Sequence, residues 1–210
     1  DKVLLISTDK AAQPVNLYGS TKLCAEKLFI SGNSYGAGKT KFSCVRYGNV
    51  IGSRGSIVET LLGNKDKGDK KVYITDERMT RFWITISQAF DLVNYALETM
   101  EGGEMFIPKV PSMKLTDLFD AIVPGIERQI VGLRPGEKIH EVLLTEEESR
   151  HAFDLGKYFV VLPQFIEKQE FAKYTGMGKE IAHEYRFVSD TNEQWITAEE
   201  FCSIIEQHEI

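Results

Sequence analysis

Two patterns follow one another at the start of the chain, and together they restrict the fold more than any other feature. Val3-Leu4-Leu5-Ile6 is a short continuous apolar run, the mark of a strand covered on both faces in a parallel sheet. A polar stretch containing Pro14 follows. A helical pattern then runs from about Tyr18 to Tyr35, with Leu23, Leu28 and Ile30 apolar and Lys22, Glu26 and Lys27 charged. Gly32, Gly36 and Gly38 end it. Phe42 to Tyr47 reads as the next strand and Ser56 to Leu62 as a helix, and Gly63 to Lys71 reads as a solvated loop. Val72 to Ile74 and Phe82 to Ile86 are strand-like. Gln88 to Met100 is a helix closed by Gly102-Gly103, Glu104 to Pro108 a strand, and Leu115 to Val123 a helix ended by Pro124-Gly125. Strands alternating with helices predict an α/β domain with a parallel sheet. After about Ile126 the order loosens, leaving a strand at Phe159 to Leu162 and a terminal helix at Thr197 to Gln207.

Composition narrows the partners. The 210 residues suffice for one core plus a smaller lobe. A net charge of -6 argues against nucleic acid or an anionic membrane as the main partner. No apolar run has the length of a membrane span, and with Asp1-Lys2 leading directly into a strand-like run no signal peptide is expected. Cys24, Cys44 and Cys202 are widely spaced and fit no zinc pattern, as expected of a reducing, cytoplasmic setting. His140 has no second histidine at helical spacing, so no metal site is predicted. Gly38-Lys39-Thr40 imitates the end of a phosphate-binding loop, but position 33 is Asn33 and the segment follows a helix.

The chemistry concentrates near the amino end. Tyr18 and Lys22 are four residues apart and share a helix face. A free tyrosine, with a pKa near ~10, is a poor base at neutral pH. A nearby ammonium favours the phenolate, which can take a proton from a hydroxyl while hydride leaves the same carbon. Ser7 or Thr8, at the end of the first strand, is suited to hold that hydroxyl. Asp9-Lys10 adds a second acid and base. A simple dehydrogenase does not need them, but elimination of water beside a newly formed ketone does.

Several motifs in order carry a resemblance. Ser7-Thr8-Asp9-Lys10-Ala11-Ala12, Pro14, Asn16, Tyr18-Gly19 and Thr21-Lys22 resemble the active-site segment of the inverting UDP-N-acetylglucosamine 4,6-dehydratases. These are extended short-chain dehydrogenase/reductases that open the route to pseudaminic acid, with close relatives in capsule synthesis. The likeness continues through Arg46 to Ser56, Thr75-Asp76, Arg78 to Thr85 and Arg134 to Glu141. It implies that Tyr18, helped by Lys22, deprotonates the sugar 4-hydroxyl as hydride passes to NADP, with NAD the alternative. Lys10 would take the C5 proton and Asp9 would help expel the C6 hydroxyl. Hydride would return to C6, and C5 would be reprotonated on its opposite face. Membrane-linked retaining relatives carry methionine where this chain has Tyr18, so the resemblance favours the soluble, inverting branch.

The resemblance also implies a substrate side. A UDP-sugar brings a diphosphate, so an acidic chain must gather donors locally. The arginines within these motifs are Arg46, Arg54, Arg78, Arg81 and Arg134. Arg81 and Arg134 would grip the phosphates, Asn49 would contact diphosphate or sugar, and Glu137 would accept from ribose hydroxyls. Tyr47, Asn49 and Val50 would line the nicotinamide side together with Ser7, Tyr18 and Lys22. Phe82 and Trp83 read as core.

The implied fold is the C-terminal part of a Rossmann-like doubly wound parallel sheet plus a smaller mixed α/β substrate lobe. Residues 1–125 would form the catalytic part, with lobe segments interleaved at about 50–85, and 126–210 the lobe and extension. No glycine-rich dinucleotide fingerprint follows a strand. The chain is therefore expected to be a fragment, inactive alone, of a protein that self-associates at full length. Two alternatives stand beside the dehydratase. One is an epimerase or reductase of the same superfamily, which needs no Asp9-Lys10 pair. The other is an inactive binding or assembly remnant.

Overall fold

The structure, a computed structural model, describes residues 1–35, 38–67, 71–164 and 172–207. In chain order its elements begin with β1 (Lys2–Thr8), α1 (Leu17–Gly32), β2 (Lys41–Tyr47), β3 (Asn49–Val50), α2 (Ile57–Lys67), β4 (Lys71–Ile74), β5 (Thr80–Ile84), α3 (Ile86–Thr99) and β6 (Met105–Pro108). They continue with β7 (Ser112–Lys114), α4 (Leu115–Ile122), β8 (Glu127–Ile130), β9 (Val142–Leu144), α5 (Glu146–Ser149), β10 (Ala152–Asp154) and β11 (Tyr158–Val161). The last are α6 (Ala172–Met177), β12 (Lys179–Glu180), β13 (Phe187–Val188) and α7 (Ala198–Gln207).

The chain divides into two compact units. The first comprises residues 1–48, 87–109 and 142–188. Its sheet has the order β1-β2-β6-β11-β10-β12. β1, β2 and β6 run parallel, and β11, β10 and β12 extend the sheet antiparallel. β1 and β2 are in register from Lys2↔Lys41 to Thr8↔Tyr47, which sets Ser7 beside Arg46 and brings both strand ends together. In open α/β sheets that carboxyl edge is where ligands bind. Val45, Leu92, Ala96, Phe106, Phe153 and Val160 fill the core. Ala89, Leu92 and Ala96 lie at three- and four-residue steps on α3 and form its buried stripe. Each large side chain buried there contributes about 1.5–3 kcal/mol.

The second unit comprises residues 49–86, 110–141 and 189–210. It holds a three-stranded sheet of order β3-β5-β7 and the parallel pair β4-β8. Its core gathers Val58, Leu61, Trp83, Leu118, Phe119 and Phe201. Trp83 meets Phe201 edge to face at 5.2 Å, and Phe82 and Trp83 are both buried, as core residues should be.

Several expectations change. α2 runs on to Lys67, where a loop from Gly63 was expected. The charges there read as loop although a solvated helix face carries them equally well. Ile86 opens α3 instead of closing β5. The region after Ile126 contains β8, β9, α5, β10, α6, β12 and β13, each two to six residues long, too short to show a period. Residues 142–188 lie in the first unit, so the unit boundaries do not coincide with a division at residue 125. The expected helix stop at Gly36 and residues 68–70 of the expected loop lie outside the described residues.

Candidate active site

The carboxyl end of β1 builds a small polar turn. Thr8 is extended and caps a short 3-10 turn, Asp9–Ala11, by accepting from the Lys10 amide. Its hydroxyl donates to Asp9 Oδ1 at 2.8 Å, and Lys10 Nζ reaches the same oxygen at 3.0 Å. The Asp9 side chain is fully buried while that of Lys10 is 37% exposed. This is an anchored ion pair with one end open, not the freely solvated pair common in surface loops.

Helix α1 packs directly on that turn. Asn16 starts the helix by accepting from the Gly19 amide at 2.8 Å. Gly19 is needed here for its missing side chain, since a Cβ would lie 2.2 Å from the Lys10 carbonyl oxygen. Tyr18, one residue earlier, is 53% exposed. Lys22, one turn later, sets Nζ 6.0 Å from the Tyr18 ring centroid and donates to the Ile6 carbonyl at 3.3 Å. The structure thus gathers Thr8, Asp9, Lys10, Tyr18 and Lys22 around one end of β1.

Ser7 faces the other way. It is buried and donates to Glu26 Oε1 at 2.6 Å, so its hydroxyl is committed to the interior and only Thr8 stands at the turn. Tyr47 is half-buried at the end of β2, and burial raises its phenol above the ordinary range. Arg46, one of the motif arginines expected to serve phosphate, is wholly buried. All five of its N–H groups are used: Nε and Nη2 on Glu26, Nη1 and Nη2 on Glu148, and Nη1 on the Leu143 carbonyl. Burial alone would lower its pKa, but Glu148 and Glu26 outweigh that and hold it above the usual value. Burial likewise disfavours the Glu148 carboxylate, yet Arg46 holds its pKa below the ordinary range. Sequence reading missed this network. The available signal was Glu26 itself, a charged residue continuing the row Tyr18, Lys22 at four-residue steps.

The second unit holds the remaining candidates. Asn49 and Val50 form β3, paired with Trp83 and Ile84 of β5. Arg81 spends its donors on the chain: Nη1 on the Thr80 and Ile139 carbonyls, Nη2 on the Lys138 carbonyl, with Nε 3.8 Å from Glu141. Arg81 therefore braces the 138–141 segment and does not offer a free fork to phosphate. Arg134 is open, its side chain 69% exposed. Glu137 folds back to accept from the Arg134 amide at 3.1 Å, across a turn with Gly136 at φ +84°. Arg78 grips Asp76 through Nε and Nη2 at 3.0 and 2.7 Å, which lowers the Asp76 carboxyl to about 2. His140 is tied through Nδ1 to Thr80 Oγ1 at 2.9 Å. Among the described residues no group of three or more His, Cys, Asp or Glu could hold a metal, and no helix is long and apolar enough to cross a membrane.

Parallel β1, β2 and β6, flanked by helices α1 and α3, define an α/β protein with a Rossmann-like parallel sheet, and a polar constellation stands at the carboxyl end of its β1. The X-ray structure of Pen from Bacillus thuringiensis is similar to it, with a TM-score of 0.85 and 34% identity, covering 99% of this chain and 63% of that one. More particularly, the chain belongs to the polysaccharide biosynthesis protein family, whose pattern matches residues 1–163. It is 40% identical over 214 residues to the UDP-N-acetylglucosamine 4,6-dehydratase (inverting) of Campylobacter jejuni subsp. jejuni serotype O:2, covering 99% of this chain and 64% of that protein. It is 44% identical over 179 residues to the uncharacterized membrane protein MJ1061 of Methanocaldococcus jannaschii, covering 80% of this chain and 54% of that protein. The chain thus spans less than two thirds of the length of these relatives.

Proposed function

We propose that the chain carries the catalytic acid–base groups of a nucleotide-sugar 4,6-dehydratase, with UDP-N-acetylglucosamine as substrate and inversion at C5. The observation that carries this reading is the Asp9–Lys10 pair, 3.0 Å apart with the carboxylate buried and the ammonium open, packed through Gly19 against the turn that bears Tyr18. Membership of the family and the likeness to the Campylobacter enzyme support it.

Tyr18 takes the proton of the sugar 4-hydroxyl as C4 becomes a ketone. Lys22 holds its ammonium on the same helix face, where it compensates negative charge on the phenol and keeps donors for a cofactor ribose. A nicotinamide cofactor, NADP in this reading, supplies the hydride acceptor at C4 and the hydride donor at C6 when bound. One half-buried ammonium, one exposed phenol and a strand end beside them fit such a group. The ketone acidifies the C5 proton, which Lys10 removes. A proton moved along the 3.0 Å contact from Lys10 to Asp9 leaves a neutral amine as base and a carboxylic acid as donor. Asp9 then protonates the departing 6-hydroxyl, and water leaves. Taking the C5 proton and giving up its own returns the pair to ammonium and carboxylate; C5 is reprotonated from solvent on the opposite face, and Tyr18 gives its proton back to solvent. Arg134 answers the diphosphate and Glu137 the ribose hydroxyls. The protein works in the cytoplasm as a homo-oligomer.

Incubation of the full-length protein with UDP-N-acetylglucosamine in deuterated water tests this reading. Deuterium at C5 of a 4-keto-6-deoxy product is the expected result. A product that keeps its C6 hydroxymethyl group would eliminate the dehydratase and leave an epimerase or reductase.

A further inference from the structure

Helix α1 bears Tyr18 and Lys22 but has little apolar face to hold it in place. Of its sixteen residues only Gly19 and Glu26 are buried. They are seven apart, two turns along one stripe. Gly19 lets the helix approach the Lys10 carbonyl but makes no directional contact there. Glu26 is directional. Its Oε1 and Oε2 accept from Nε and Nη2 of Arg46 at 3.0 and 2.7 Å, a fork that fixes the carboxylate plane. Oε1 also accepts from Ser7. Arg46 is itself held on β2, with its remaining donors on Glu148 and the Leu143 carbonyl. Tyr18, Lys22 and Glu26 follow at four-residue steps, so the anchor and the two candidate acid–base groups form one row. An apolar contact would let α1 slide or roll. Here either motion breaks charge-assisted hydrogen bonds where no water can replace them.

We propose that the Glu26–Arg46 pair is a positioning clamp that sets the rotation and height of α1, and so places Tyr18 and Lys22 against the Asp9–Lys10 turn. The proposal rests on reading Tyr18 and Lys22 as the redox acid–base pair. Glu26 and Arg46 act through the helix and not on the sugar.

The test compares full-length wild type with Arg46→Lys, which keeps the charge and loses the fork. It measures kcat and KM for UDP-N-acetylglucosamine, and hydrogen exchange at the Gly19 and Ser20 amides, both bonded to Asn16 in the first turn. The clamp requires kcat to fall at least about thirtyfold with KM within about threefold. Exchange at the two amides should quicken at least about tenfold, while β1 and β2 stay protected. A purely structural role would quicken exchange throughout the unit and spare kcat of the folded protein. If Arg46→Lys does not fold, Glu26→Asp carries the same test, because retracting the carboxylate by about 1.5 Å forces the helix or the pair to move. A folded variant with kcat within about threefold of wild type, or with unchanged exchange at α1, overturns the clamp. A wild type that leaves the sugar untouched counts against the dehydratase reading instead, and the exchange comparison still decides the clamp.

Discussion

Gly19→Ala tests how closely α1 must approach the Asp9–Lys10 turn. The added Cβ would sit 2.2 Å from the Lys10 carbonyl oxygen, 3.1 Å from its carbon and 3.0 Å from Pro14 Cβ. Ordinary contact begins near 3.4 Å, so helix and turn must separate by roughly 1 Å. The obstacle is backbone and cannot rotate away. Overpacking of this kind costs about 1–3 kcal/mol, with the upper end expected here. Alanine's better helix propensity returns about 0.5–1 kcal/mol. The net expectation is a loss of about 2 kcal/mol in urea unfolding. A shift of about 1 Å between acid–base groups should also lower kcat by about a hundredfold. Gly63→Ala is the control. Gly63 lies inside α2 with nothing within 4 Å of an added Cβ, so that change should stabilise by about 0.4–1 kcal/mol. The reasoning fails if Gly19→Ala matches wild type in stability and turns over substrate within about twofold of it.

Three further outcomes are expected. Lys10→Ala should reduce product formation by about 10²–10⁴-fold while UDP-sugar affinity, measured by calorimetry, stays within about threefold; ordinary turnover would remove Lys10 from its role. Because the folded pKa of Glu148 is depressed, its contribution to stability is present above the ordinary carboxyl value of 4.5 and is lost as pH falls below it. Urea unfolding at stepped pH should therefore show a shallower acid decline for Glu148→Gln, and an unaltered slope would contradict the buried pairing. Burial, with Glu26 nearby, pushes the Cys44 thiol up to about 12, whereas Cys24 is exposed. Iodoacetamide at neutral pH should label Cys24 and spare Cys44 until the protein unfolds, as mass spectrometry of the labelled peptides would reveal.

The parallel core was legible because its signals are long or continuous. Val3 to Ile6 is an unbroken apolar run and does form a parallel strand, although Val3 and Ile6 are exposed on this end strand of the sheet where cover on both faces was expected, and α3 has a regular apolar stripe. The polar turn was legible because Asp9, Lys10, Tyr18 and Lys22 are neighbours in the chain as well as in space. The rest depends on distant partners. Arg46 meets Glu148 across 102 positions and Arg81 meets the Ile139 carbonyl across 58. An arginine facing phosphate and an arginine facing buried carboxylates look alike in sequence, since both are fork donors awaiting paired oxygens. Ser7 and Thr8 are equally ambiguous as letters. Strand alternation turned Ser7 inward to Glu26 and left Thr8 at the turn. Apart from β11, which the apolar run from Phe159 to Leu162 announces, the short strands after Ile126 are defined by pairing partners, and no local pattern foretells them.

A crystal structure of the full-length Lys10→Ala protein with UDP-N-acetylglucosamine bound would probe the shared sugar site most directly. It should show the Tyr18 hydroxyl about 2.6–3.2 Å from the sugar O4, with Cβ of residue 10 facing C5 and the Asp9 carboxylate on the side of the 6-hydroxyl. A hexose seated away from this turn, or one touched by Tyr18 while residues 9 and 10 face elsewhere, would contradict the claim that one end of β1 serves both redox and elimination.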